Sequence, residues 1–255
     1  MTKPIVALQL YTVRDAAHED LPKTLNQIKT MGYDAVELAG TYDLATEVLK
    51  KHLDDAGLEA VSAHVPYGAF EADAAGTVAK YKALGCRLIS IPSLSLEALP
   101  GGKDFDTTKA VMVKTAALCK DHGLMLGYHN HAYEFKTLPC GSYVLDALFN
   151  TIDIDTGVYA QIDTGWVLAA GKDPVSYVKQ YTGRCPSVHL KDIINVGDRF
   201  EDRPVGQGSQ DIPAVMQAAE ETGAYIMVVE LDEAVGMTPL EAAKQSREYL
   251  LSIGY

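Results

Sequence analysis

The sequence predicts a single (β/α)8 barrel occupying residues 1–255. Three observations point to it. The chain has 255 residues, 47% of them apolar, and no Gly/Ser/Pro-rich linker divides it, a length that barrels reach as one domain. Short apolar segments alternate with segments of helical period along the whole chain. Polar and charged residues collect at the C-terminal ends of the apolar segments, which in a barrel share one mouth.

Eight segments read as strands: 4–11, 35–39, 59–65, 87–93, 125–131, 159–163, 187–192 and 225–231. Each is short and apolar, as strands covered on both faces are. Eight helical segments lie between them. LPKTLNQIKTMG sets Leu21, Leu25, Ile28 and Met31 at spacings of four and three before Gly32. LATEVLKKHLDDAG, TVAKYKALG and TTKAVMVKTAALCKDHG end likewise at Gly57, Gly85 and Gly123. SYVLDALFN, PVSYVKQY, IPAVMQAAEETG and PLEAAKQSREYLLSIG complete the set. Helix, glycine, strand is the cadence of βα units joined by short turns. An open doubly wound sheet would carry a glycine-rich first turn, and QLYTVRD has none.

The charge excludes some functions. With 22 basic and 34 acidic residues the net charge is −12, which repels phosphate backbones and anionic membranes. Neither nucleic acid nor membrane is expected as a partner. No run reaches a membrane span, and the first residues lack a signal-peptide pattern. Cys86, Cys119, Cys140 and Cys185 form no CxxC pair and read as free thiols in a reducing cytoplasm.

Strand ends supply the candidate chemistry. Glu230 closes MVVE, Asp163 closes AQID and His189 lies inside SVHL, where a charged group is seldom buried unless paired or metal-bound. Singly, Glu37 reads as a strand-end or capping residue, His64 as a core histidine, and Asp163 as a turn residue. A barrel brings Asp163, His189 and Glu230 together with Glu134. Three carboxylates and an imidazole suit one divalent cation. Mn²⁺ is the first expectation, with Co²⁺, Mg²⁺ and Zn²⁺ as alternatives. LGYHNHAYEF adds His129 and His131 beside Glu134.

LQLYTVRD, GYDAVELAG, LGYHNHAYEF, QIDTGW, SVHLKD, RPVGQGSQDIP and VVELDE resemble the xylose isomerase-like TIM-barrel superfamily of sugar phosphate isomerases and epimerases. The resemblance covers essentially the whole chain. It implies metal ligands Glu134, Asp163, His189 and Glu230 from the last four strands, with Glu134 and Glu230 doubling as base and acid. This chain has His129 where the epimerases place their strand-five glutamate, so either Glu134 folds back or His129 takes that position; a hard cation favours Glu134. Should Glu134 fall short, His129 or His131 becomes the proton carrier.

Lys191 is expected to neutralise an oxyanion, or to pair with Asp192 or Glu230. Tyr11, Glu37, His64, His131 and Trp166 are expected to meet substrate, and Arg199 with Arg203 to clamp an anionic group. The expected activity is isomerisation or epimerisation of a ketose through an enediolate. Dehydration of an inosose or keto-glycoside is the alternative. An endonuclease IV-like zinc nuclease and a non-catalytic sugar-binding barrel are readings from other classes; the charge opposes the first. The expected partner is a small sugar or cyclitol, and a homo-oligomer follows only from the family.

Overall fold

The computed structural model describes residues 3–197 and 199–255. Eight parallel strands close a barrel: β1 (Ile5–Gln9), β2 (Ala35–Ala39), β3 (Glu59–His64), β4 (Leu88–Ile91), β5 (Met125–His129), β6 (Val158–Asp163), β7 (Ser187–Leu190) and β10 (Ile226–Val229). They neighbour one another in chain order, and β10 pairs with β1 to complete the ring. The helices are α1 (Arg14–Glu19), α2 (Leu21–Thr30), α3 (Thr46–Ala56), α4 (Tyr67–Leu84), α5 (Phe105–Asp121), α6 (Val144–Thr151), α7 (Thr164–Ala169), α8 (Pro174–Gln180), α9 (Ile212–Glu221) and α10 (Pro239–Ser252). Gly57 and Gly85 stop α3 and α4 in the left-handed conformation, with φ of 68° and 97°, which a side chain would strain.

Strand parity builds the interior in layers. Ala7, Ala35, Val61, Leu88, Ile226 and Val228 form an apolar plug inside the barrel. The alternate residues Val6, Leu8, Met227 and Val229 belong to the larger core that includes the helices. One step further along, the inward positions turn polar. Gln9 stands beside Glu37, Glu37 beside Ser62, and Gln161 beside Ser187. All five are fully buried. The last inward positions, His129, Asp163, His189 and Glu230, face the mouth.

Several boundaries differ from those expected. β1 ends at Gln9, whose side chain accepts from Tyr11 N (3.0 Å) and starts a 3-10 turn over Leu10–Val13. β5 ends at His129 and β7 at Leu190. The loop expected after the seventh strand instead contains an antiparallel hairpin, β8 (Asp192–Val196) with β9 (Arg199–Arg203). α1 and α7 are helices additional to the eight expected. Among the described residues no helix is long and apolar enough to cross a membrane, and all four cysteines are free thiols.

Candidate active site

The barrel mouth is stitched together before any ligand is considered. Asn130 Oδ1 accepts from Asp163 N (3.0 Å), tying β5 to β6. Thr164 Oγ1 donates to His189 O (2.9 Å), tying β6 to β7. Leu231 N donates to Thr12 Oγ1 (3.0 Å), fixing the end of β10 against the segment after β1. Asp163 caps α7 by accepting from Trp166 N (2.9 Å) on Oδ1, so one turn both directs its carboxylate and places Trp166. Gly165 lets that helix press on β7: a Cβ there would lie 2.5 Å from Lys191 O.

Four side chains then converge. Ligand atoms of His129, Asp163, His189 and Glu230 lie within 4.8 Å of one another, and all four residues are buried. His189 Nδ1 is 3.0 Å from Glu230 Oε2, and His129 Nε2 is 3.9 Å from Asp163 Oδ2. Asp163 Oδ2 and His129 Nδ1 are buried without a hydrogen-bond partner. Orphaned buried polar atoms are costly, and a cation among them would satisfy the set. Two imidazoles and two carboxylates fit a divalent cation that accepts nitrogen and oxygen.

Glu134 lies outside this group. Its carboxylate is fully buried, accepting from Tyr128 Oη (2.7 Å) and from His131 N (2.8 Å). Tyr128 has outward parity on β5 and packs in the helix-covered core; its hydroxyl draws Glu134 to the outer side of the strand. Burial raises the Glu134 carboxyl, against hydrogen bonds from Tyr128 and His131.

Glu37 is likewise not at the surface of the site. It is fully buried and accepts from Gln9 Nε2 (2.7 Å), Ser62 Oγ (2.6 Å) and Gln161 Nε2 (2.7 Å). His64 Nε2 stands 3.1 Å away. His189 Nε2 approaches to 2.8 Å, in a bent ionic contact outside aligned hydrogen-bond geometry. The hydrogen-bond partners of Glu37 thus all lie within the barrel.

The electrostatics follow from burial and pairing. Burial alone would raise Glu37, but the charges of His64 and His189 bring it down to about 2. Burial would depress His189, yet Glu37 and Glu230, one at each ring nitrogen, raise it to about 10. Glu230 is taken well below the usual range by Lys191 and His189, again against burial. Burial pushes Asp163 well above its ordinary value, although Lys191 opposes this. His129 is held well below by burial and by its histidine neighbours, and His131 is lowered to about 4, chiefly by burial. Both imidazoles are neutral near pH 7. Burial would lower Lys191, but Glu230, Asp163 and Asp232 raise it. It is 2.7 Å from Asp232 Oδ2 and 3.7 Å from Glu230 Oε2.

A cavity of about 450 Å³ opens above the four residues, walled in part by Tyr11, His64, His129, His131, Trp166 and Glu230. Its size is that of a small-molecule site. The profile of the family described as "Xylose isomerase-like TIM barrel" matches residues 25–253. The chain belongs to the xylose isomerase-like TIM barrel family. It is 24% identical over 264 residues to an inosose dehydratase of Clostridium perfringens, covering 89% of this chain and 87% of that one. A sugar phosphate isomerase/epimerase from Parabacteroides distasonis superposes with a TM-score of 0.83 at 25% identity, covering 100% of this chain and 96% of the other. An L-ribulose 3-epimerase shares the fold, with a TM-score of 0.72 at 16% identity over 98% and 94%.

In this xylose isomerase-like barrel the remaining expected residues divide. Tyr11 and Trp166 line the cavity. The Trp166 ring lies 5.5 Å from the His131 ring and 5.4 Å from Lys191 Nζ. Arg199 does not line it; the side chain is 77% exposed on the hairpin and pairs with Glu201, as does Arg203. Lys191 pairs with Asp232 instead of Asp192, whose carboxylate is wrapped by the N–H groups of Gly206, Gly208 and Gln210. Gln9, Gln161 and Asp232 were not assigned roles from sequence. Parity could have found Gln161, two residues before Asp163 on β6.

Proposed function

We propose that this chain is a divalent-cation-dependent enzyme that removes a proton beside the ketone of a sugar or cyclitol, with loss of a β-hydroxyl as water. The observation that carries the reading is the buried His129–Asp163–His189–Glu230 group under a sugar-sized cavity. A cation held there would stabilise negative charge on the carbonyl oxygen as the neighbouring C–H is deprotonated. The second imidazole, in place of a third carboxylate, brings Co²⁺ and Zn²⁺ level with Mn²⁺ as candidates.

With Glu134 committed to Tyr128, His131 is the proton carrier. It is neutral, lines the cavity, and keeps a buried Nδ1 with no partner. His131 takes the carbon-bound proton, and its conjugate acid gives the proton to the departing hydroxyl, which leaves as water. Lys191, held by Asp232, supplies positive charge beside the enediolate, and Trp166 offers a face for the ring to stack on. Dehydration is placed first because one base, His131, suffices both to take the carbon-bound proton and to protonate the leaving hydroxyl. The inosose dehydratase relatives support the same outcome.

Isomerisation or epimerisation is the second reading. His64 lines the same cavity and offers a second group to return the proton to carbon.

The test is to incubate cation-loaded protein with inososes and ketoses in D₂O. Dehydration appears as rising ultraviolet absorption of a conjugated product. Deuterium uptake without that absorption assigns isomerisation or epimerisation. Substrate binding with neither signal would sink both readings.

A further inference from the structure

Glu37 is a carboxylate that never reaches the cavity, yet five polar side chains from four strands point at it. Gln9, Ser62 and Gln161 donate to it at 2.6–2.7 Å, and His64 and His189 stand at 3.1 and 2.8 Å. A carboxylate accepts about four hydrogen bonds; Gln9, Ser62 and Gln161 supply three, and the remaining capacity faces the two imidazoles. His189 has its two ring nitrogens on different neighbours. Nδ1 faces Glu230 inside the four-residue group, and Nε2 faces Glu37 below it. Gln161 ties the pair to His64, since its Oε1 lies 2.9 Å from His64 Nε2 while its Nε2 donates to Glu37.

An imidazole binds a cation through one unprotonated nitrogen, and its other nitrogen then carries the proton. Where that N–H finds an acceptor, the tautomer and ring orientation are set before the cation arrives. We propose that Glu37 is a positioning residue for the cation site: it accepts the Nε2 proton of His189, so that Nδ1 turns its lone pair toward Asp163 and Glu230. The same carboxylate anchors Gln161 and through it the His64 wall of the cavity. The proposal rests on the reading that the four-residue group holds a divalent cation.

Zn²⁺ is the probe, titrated against a chromophoric chelator into cation-free wild type, Glu37→Gln and Glu37→Asp. The Gln variant keeps size and one acceptor oxygen but loses the charge. The expected result is Zn²⁺ affinity about 10–100-fold weaker in Glu37→Gln, partly restored in Glu37→Asp, with melting temperatures of the cation-free proteins near that of wild type. Unchanged affinity in a folded Glu37→Gln protein overturns the proposal while leaving the cation site standing. Wild type that binds no Zn²⁺ overturns the cation reading and the proposal with it. Should the variants fail to fold, ¹⁵N-resolved histidine spectra of Zn²⁺-loaded wild type decide. His189 protonated on Nε2 is expected, and His189 protonated on Nδ1 overturns the proposal.

Discussion

His129 closes β5 and His131 lies two positions beyond it, and the proposed site gives them different work. His129 completes the four-residue group, while His131 lines the cavity and is the proposed base. His131→Asn is expected to lower kcat by about 10²–10⁴-fold and to leave Zn²⁺ affinity within about twofold. Equal losses in both would make His131 a ligand instead. Asp163, His189 and Glu230 were legible in sequence because each sits at an inward position at the end of a buried strand, where a charge needs a reason. The side to which Glu134 turns is hidden in the sequence. The residue follows the strand, so parity does not bind it, and only the packed Tyr128 hydroxyl reveals which side it takes.

At the scale of elements, the eight barrel strands were readable from short apolar runs, and the helices from period and glycine stops. The β8–β9 hairpin was not. Its segment is largely polar and exposed or half-buried along β9, and its strands exist by pairing with each other. It matters to the site through Asp202, whose Oδ2 accepts from Asp232 N (2.5 Å) and Glu233 N (3.1 Å). Those bonds hold the segment after β10 that brings Asp232 to Lys191. Asp202→Ala is therefore expected to raise KM several-fold and to shift the melting temperature by only a few degrees, because the hairpin lies outside the barrel core. Steady-state kinetics beside a thermal melt check this. An unchanged KM would detach the hairpin from the site.

For the whole molecule, net charge and buried histidine chemistry combine. The charge of −12 favours small cations over polyanions. Without a cation, His189 carries a proton up to about pH 10. Its folded value lies above the unfolded value of about 6.5, so its stabilisation is complete below pH 6.5 and is lost as pH rises toward 10. A cation must displace a proton from the site, so Zn²⁺ affinity is expected to rise with pH between about 6 and 9. The melting temperature of cation-free protein is expected to fall across the same alkaline interval, and the cation-loaded protein to resist that fall. Melting curves of both forms across this range check the sign. A pH-independent affinity would remove His189 from the ligand set.

His129, and not Glu134, is the residue proposed to join Asp163, His189 and Glu230 around one cation. Elemental analysis of divalent metal per chain tests it most directly, in wild type, His129→Ala and Glu134→Gln. Close to one ion per chain in wild type and in Glu134→Gln, with loss in His129→Ala, is the predicted result. Loss in Glu134→Gln with retention in His129→Ala would contradict the ligand set, and no ion in wild type under any loading condition would contradict the account as a whole.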